Sequence, residues 1–203
     1  MVFKRLATGM LASNCYIIGK DGEGVVIDPG ADAMEIVNAI NEMKLKIKYI
    51  ILTHAHIDHI ISVDELRESL GAKVLLHENE ARALSNPFYN GSGLFGLKKV
   101  FKEADSVLKD GDSLEVGGMK LEIIHTPGHT SGGICIKTGD KIFTGDTLFM
   151  MSIGRTDLGD GDQDQLMDSI KNKLMVLADD LKVYPGHGTS TTIGYERENN
   201  PFI

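Results

Sequence analysis

Directly after the apolar run Tyr49, Ile50, Ile51 and Leu52, the chain reads Thr53-His54-Ala55-His56-Ile57-Asp58-His59. Three imidazoles and a carboxylate thus stand at the end of a segment patterned as a buried strand, and strand ends in layered α/β folds are where active sites gather. A polar loop seldom holds so many titratable groups without a ligand to neutralise them, so the cluster points to metal. His54 and His56 are two apart, and in extended chain both rings project to one side. Asp58 and His59 follow where the chain turns into the helical pattern beginning at Ile60. Such an arrangement can serve two neighbouring ions. Imidazole nitrogen and carboxylate oxygen suit zinc, iron or manganese, and the ions' charge keeps Asp58 ionised and the histidines neutral.

Three further segments use the same grammar, a short apolar run followed by a Gly or Pro turn that carries one strong ligand. Leu121 to Ile124 leads into Thr126-Pro127-Gly128-His129, Lys141 to Phe143 into Thr144-Gly145-Asp146, and Leu181 to Tyr184 into Pro185-Gly186-His187. Glycine lets the backbone come close, which frees the neighbouring side chain to aim at a shared centre. Val74 to Leu76 followed by His77 lacks the glycine turn. His77 and His125 stay outside the set, as packing residues or as partners that orient a ligand from behind.

The order HxHxDH, PGHT, GDT, PGHG closely resembles that of the metallo-β-lactamase fold hydrolases, from Asn14-Cys15-Tyr16 at the start to Asn200-Pro201-Phe202 at the end. Within that superfamily, Ser152-Ile153-Gly154-Arg155-Thr156-Asp157 together with Tyr184-Pro185-Gly186-His187-Gly188 looks most like the short, single-domain type II glyoxalases, which are hydroxyacylglutathione hydrolase-like. The resemblance implies an α/β fold, the four-layer αββα sandwich. It also implies one metal on His54, His56 and His129, a second on Asp58, His59 and His187, and Asp146 bridging the two. Two divalent ions are expected, zinc first, with iron or manganese as alternatives.

The 203 residues, 42% hydrophobic, carry no long Pro, Ser or charge-biased run and read as one domain spanning 1–203. Cys15 and Cys135 lie in apolar, strand-like surroundings with no thiol or histidine at redox or metal spacing, so they read as core residues of a reduced, cytoplasmic protein. No segment approaches the ~18 to 20 apolar residues of a membrane span, and no signal peptide is recognisable. The formal charge of −8 argues against a nucleic-acid surface. Lys98, Lys99 and Lys102 form the densest basic cluster, either a solvated face or a hold for an anionic substrate. Nothing in the sequence fixes an oligomeric state.

Asp32 to Glu35 resembles a capping box ahead of the stripe Ala33, Ile36, Val37, Ile40, Met43. Ile60, Val63, Leu66 and Leu70 form a second stripe closed by Gly71, and Gln163 to Leu177 reads as a third helix. Asp110-Gly111, Gly117-Gly118 and Gly139-Asp140 punctuate a meander of short strands, so the chain reads as two packed sheets with helices outside. The stretch from Asn86 to Gly96 holds three glycines and three aromatics, a substrate wall or a loop that tucks its rings into the core.

Two metals sharing Asp146 would bring the pKa of a bridging water to ~7 and polarise a carbonyl. Asp58 is then the catalytic residue that orients the hydroxide. No second motif supplies a general acid. A thiolate departs without prior protonation, its parent thiol having a pKa near ~8.5, so a small-molecule thioester fits better than an amide. Arg155 and Asp157 are the candidate substrate-binding pair, or a self-contained hydrogen-bonded loop. The larger type II glyoxalases carry a C-terminal helical domain that helps grip glutathione, so weak saturation by glutathione esters is expected here. The rival readings are a persulfide dioxygenase with a single iron on His54, His129 and Asp146, and a lactone or ester hydrolase on the same metals.

Overall fold

The computed structural model describes residues 1–7, 9 and 11–203. Its first sheet runs in chain order, β1 (Val2–Ala7), β2 (Asn14–Lys20), β3 (Glu23–Ile27), β4 (Lys46–Ile51), β5 (Lys73–His77) and β6 (Ser106–Leu108). The pairing changes from antiparallel to parallel at β3, because α1 (Ala33–Met43) and then α2 (Ile57–Ile60) and α3 (Val63–Leu70) supply the crossovers that parallel strands need. The second sheet opens with the antiparallel meander β7 (Ser113–Val116), β8 (Met119–His125), β9 (Ile134–Thr138) and β10 (Lys141–Gly145). A small ribbon follows, β11 (Leu148–Phe149) and β12 (Ser152–Ile153), before the chain returns as β13 (Lys182–Pro185) and β14 (Thr191–Thr192).

Period-two alternation sorts the side chains into three cores. On β2, Cys15 and Ile17 face the layer that holds Ile36, Ile40, Val63 and Leu66, while Tyr16 and Ile18 face the other sheet. On β10, Phe143 joins Tyr16 between the sheets, and Ile142 packs outward with Leu166, Ile170 and Leu174. Strands with both faces covered lie in the middle of a four-layer αββα stack, as expected. Cys15 and Cys135 are buried free thiols.

The Asp32 carboxylate accepts from the backbone N–H of Met34 and Glu35, which starts α1 where the stripe begins. The second stripe is not one helix. Ser62 hydrogen-bonds back to the Ala31 carbonyl and separates α2 from α3. The third is shorter than its pattern, since α5 (Gln163–Ser169) widens into a π-type turn at Ile170–Leu174. There the apolar residues continue but the i→i−4 ladder does not. No helix among the described residues is long and apolar enough to cross a membrane.

Past α4 (Ala81–Leu84) and the ribbon, the loops at the strand ends are tied to one another. The side chain of α6 (Ile193–Asn199) residue Glu196 is buried and accepts from the Met151 N–H at 2.8 Å and the Asn200 amide at 2.8 Å, which pins the ribbon. Glu80, just before α4, is also buried. It accepts from the Ala55 N–H at 2.9 Å and the Gly132 N–H at 3.1 Å, so one carboxyl joins the loop after β4 to the loop after β8. Burial pushes its pKa up from 4.5 to about 7, against the lowering effect of those two donors. The folded state therefore holds a proton that the unfolded chain has released. The stabilisation this gives is complete below about pH 4.5 and is lost as pH rises through about 7. In EDTA-treated protein, wild type should lose urea-unfolding free energy relative to Glu80→Gln from pH 5 to pH 8, and a difference that does not change with pH would refute the linkage. Glu80→Ala should cost ~1–3 kcal/mol for each N–H left without an acceptor.

Candidate metal centre

All seven predicted ligand side chains converge where the ends of the two sheets meet. His54 and His56 leave β4, and Asp58 and His59 sit on the first turn of α2. His129 comes from the loop after β8, Asp146 from the end of β10 and His187 from the end of β13. The register between β10 and β13 slips at Thr144, and this bulge lets Gly145 pair with Pro185 directly beside Asp146 and Gly186.

Two tripods result. The ligand atoms of His54, His56 and His129 lie within 4.8 Å of one another, and so do those of Asp58, His59 and His187. Asp146 stands between them, with Oδ2 3.6 Å from His129 Nε2 and 3.6 Å from His187 Nε2, and Oδ1 3.4 Å from His59 Nε2. His56 Nδ1 and His129 Nε2 approach to 2.9 Å, and His59 Nε2 and His187 Nε2 to 3.2 Å.

Behind the centre, the second nitrogen of each of three rings is committed. His129 Nδ1–H donates to the Arg155 carbonyl at 2.7 Å, which leaves Nε2 as a lone pair facing Asp146 and His56. Thr53 Oγ1 donates to Asp28 Oδ2 at 2.6 Å and stands 3.1 Å from His54 Nδ1, so that ring also presents Nε2. Asp28 Oδ2 lies 3.1 Å from His59 Nδ1. Asp28, His54 and His59 form a third overlapping set, but Asp28 already accepts from the Thr53 N–H and hydroxyl and so backs the centre from outside.

The electrostatics divide the cluster. Burial and the neighbouring rings hold His54 well below its usual value, and burial with His129 brings His56 down to about 3. Burial also opposes charge on His59, yet Asp146, Asp28 and Asp58 outweigh it and push its pKa up to about 10. Burial works against ionised Asp58, but the hydrogen bond from His187 and the charge of His59 keep it below the usual carboxylate range. His54 and His56 are thus neutral imidazoles beside an ionised Asp58, the donor chemistry of a divalent cation site, whereas His59 would give up its proton to a cation that took its place. Two buried acceptors, His54 Nε2 and Asp146 Oδ1, have no hydrogen-bond partner among the described residues, as atoms aimed at a cation would. A Cβ at Gly186 would collide with Asp146 Oδ1 and crowd His59, so that position must be glycine for both to face inward. The residues fit a pair of metal ions.

The centre opens into a cleft of about 390 Å³ walled by Leu11, Leu94, Phe95, Phe149, Ile153 and Leu158, with Arg155 at its edge. The loop from Asn86 to Gly96 thus splits its roles. Leu94 and Phe95 face the cleft, while the Tyr89 ring lies 4.0 Å under the Arg82 guanidinium. Arg155 grips Asp157 in both arms of its fork, at 2.6 and 2.8 Å. Lys98, Lys99 and Lys102 do not line the cleft, and Lys102 pairs with Glu68 of α3. His77 and His125 stack on each other at 3.8 Å, with His125 Nε2 3.0 Å from the Ser131 carbonyl, outside both tripods.

Sequence reasoning passed over Asp28, Ser13 and Asn14. Asp28 follows Val25, Val26 and Ile27 and precedes Pro29-Gly30, the same strand-then-turn grammar that marked the ligands. Ser13 donates to the Asp58 carbonyl at 2.6 Å, and the Asn14 amide donates to the Pro185 and Gly188 carbonyls at 2.9 and 3.0 Å, flanking His187. Only the resemblance at Asn14-Cys15-Tyr16 hinted at these contacts.

Residues 8–187 match the family model described as metallo-β-lactamase superfamily. The chain is 38% identical over 206 residues to the probable metallo-hydrolase YqgX of Bacillus subtilis, covering 100% of this chain and 98% of that one. It is 37% identical over 199 residues to the hydroxyacylglutathione hydrolase GloC of Haemophilus influenzae, covering 94% and 92%. Among solved structures, the BLEG-1 B3 metallo-β-lactamase superposes with a TM-score of 0.95 at 40% identity, covering 99% of each chain. TTHA1623 in a di-iron-bound form superposes with 0.86 at 31%, covering 98% and 100%. With the fold, the paired tripods and the extent of these matches in agreement, the chain belongs to the metallo-β-lactamase superfamily.

Proposed function

We propose that this chain is a thioester hydrolase of the type II glyoxalase kind, working with two divalent metal ions. The observation that carries the reading is the position of Asp146 between two complete tripods at the floor of a cleft. The likeness to GloC, whose name is that of a hydroxyacylglutathione hydrolase, supports the substrate type. His54, His56 and His129 would hold one ion, Asp58, His59 and His187 the other, with Asp146 shared. When bound, the pair supplies an activated water at neutral pH and electrophilic help to a carbonyl.

The chain's own groups do the rest. Asp58 lines the cleft with Oδ2 3.1 Å from His187 Nε2, and as an ionised acceptor it orients the attacking water by taking a hydrogen bond from it. The water oxygen bonds to the carbonyl carbon and the C–S bond breaks with its electron pair leaving on sulfur. The two protons of the water pass to solvent and to the released thiolate. Apart from the proposed metal ligands, the described lining residues offer no titratable proton donor, since Arg155 stays protonated and Asn90 is an amide. A leaving group must therefore depart without protonation. A thiolate, with a parent pKa near ~8.5, does so far more readily than an amine.

Elemental analysis should find close to two metal ions per chain, zinc or a zinc and iron mixture, and thiol release from S-D-lactoylglutathione should stop on chelation. One firmly held iron with oxygen-dependent chemistry and no thiol release would overturn the reading.

Asp146→Ala should lose both ions and nearly all turnover, whereas His187→Ala should weaken one. Unchanged metal content and turnover in His187→Ala would exclude a two-metal mechanism. Asp28→Ala, which frees the His59 ring, should lower metal affinity by ~10–100-fold with the fold intact by circular dichroism.

A further inference from the structure

Three adjoining hollows meet at the metal centre. The central cleft shares Phe149 and His187 with a second hollow of about 480 Å³ walled by Met150, Met151, Gly188 and Thr189. At a separate part of its wall it shares His56, Gly91, Leu94 and Leu158 with a third of about 360 Å³ walled by Pro87, Phe88, Gly93 and Asp157, which has no wall residue in common with the second. A thioester whose carbonyl sits at the centre sends its acyl chain one way and its thiol carrier the other, and this trough has room for both. Its walls are aliphatic, aromatic or thioether along most of their length, and methionine adapts its shape to what it covers.

Charge along the trough is one-sided. Apart from the proposed metal ligands, Arg155 is the single cationic side chain among the described lining residues of the three hollows, and both arms of its fork are taken by Asp157. Bidentate geometry of this kind is the form of exposed ion pair that holds best. Asp157 itself borders the third hollow, so a substrate carboxylate reaching there meets a like charge and an occupied guanidinium. Glutathione carries two carboxylates and one ammonium.

From this we infer that the trough selects thioesters that are apolar in the acyl chain and uncharged in the carrier near the sulfur, and that the Arg155–Asp157 pair acts against anionic carriers such as glutathione. The inference rests on the hydrolytic reading above. The reaction is the same one, with water adding to the carbonyl carbon, the C–S bond breaking, and a fatty carboxylate and a neutral-carrier thiol as products.

Steady-state kinetics of the metal-loaded enzyme test it with three probes, the acetyl and hexanoyl esters of N-acetylcysteamine and S-D-lactoylglutathione. Hexanoyl should exceed acetyl in kcat/KM by at least tenfold, given about fourfold for each methylene that becomes buried. It should also exceed the glutathione ester. Asp157→Ala, which releases the Arg155 fork and removes the like charge, should raise kcat/KM for the glutathione ester severalfold relative to that for the hexanoyl ester. Leu94→Asp, at an exposed position that the fold does not need, should lower hexanoyl turnover selectively through KM. A glutathione ester preferred by the wild type, or an Asp157→Ala variant with unchanged preference, overturns the inference while hydrolysis stands. Failure to hydrolyse any of the three esters overturns the hydrolytic reading itself.

Discussion

Crowding is the constraint on which the rest of the structure depends. Ring nitrogens 2.9 to 3.2 Å apart and carboxylate oxygens within 3.6 Å of them repel or strip one another of water unless something fixed holds them in place. The fixing comes from the ends of interior strands of the two sheets, which are packed into the cores and cannot shift without disturbing them. Each ligand-bearing loop is then tethered by a polar group outside the centre. Glu80 joins the loops of His56 and His129, Asn14 spans the loop of His187, Ser13 holds the turn of Asp58, and Asp28 braces Thr53 and His59.

The side chains that converge were legible because their chemistry is costly anywhere else. Histidine and aspartate at the ends of apolar runs, each next to Gly or Pro, have few structural uses, so spacing and residue type together identified all seven. The tethers were not legible for the opposite reason. A Glu such as Glu80, preceded by Glu78 and Asn79, looks like any solvated helix start, and only the fold reveals that it is buried. Asp28 shared the grammar of the ligands but sits one layer back, a distinction of distance that a linear pattern does not carry.

Helix boundaries illustrate another limit. Ile60, Val63, Leu66 and Leu70 keep helical spacing across a break, because Ser62 finds a backbone partner at Ala31 and the apolar side chains still face the same core. The pattern from Gln163 to Leu177 likewise survives the change to a wider turn, since Ile170 and Leu174 remain buried against Ile142. Periodicity reports which face is buried, and it is silent on where the hydrogen-bond ladder changes hands. Arg155 and Asp157 were read both as substrate contacts and as a closed pair. Arg155 lines the cleft, Asp157 borders the adjoining hollow, and the two grip each other, so the closed pair is what the geometry shows.

The amide of Asn14 reaches the carbonyl of Pro185 across 171 positions of chain, and Tyr16 reaches the same carbonyl through its hydroxyl. The second tripod therefore forms only when the first strands and the last parallel strand have met. Contacts of such long sequence separation carry a larger loop-closure entropy than local ones, because the loop they close is nearly the whole molecule. His54, His56, Asp58 and His59 come from one local segment, whereas His187 reaches them only through that long-range closure. A metal ion that recognises the complete centre would thus stabilise the folded chain by tying its first strands to its last parallel strand.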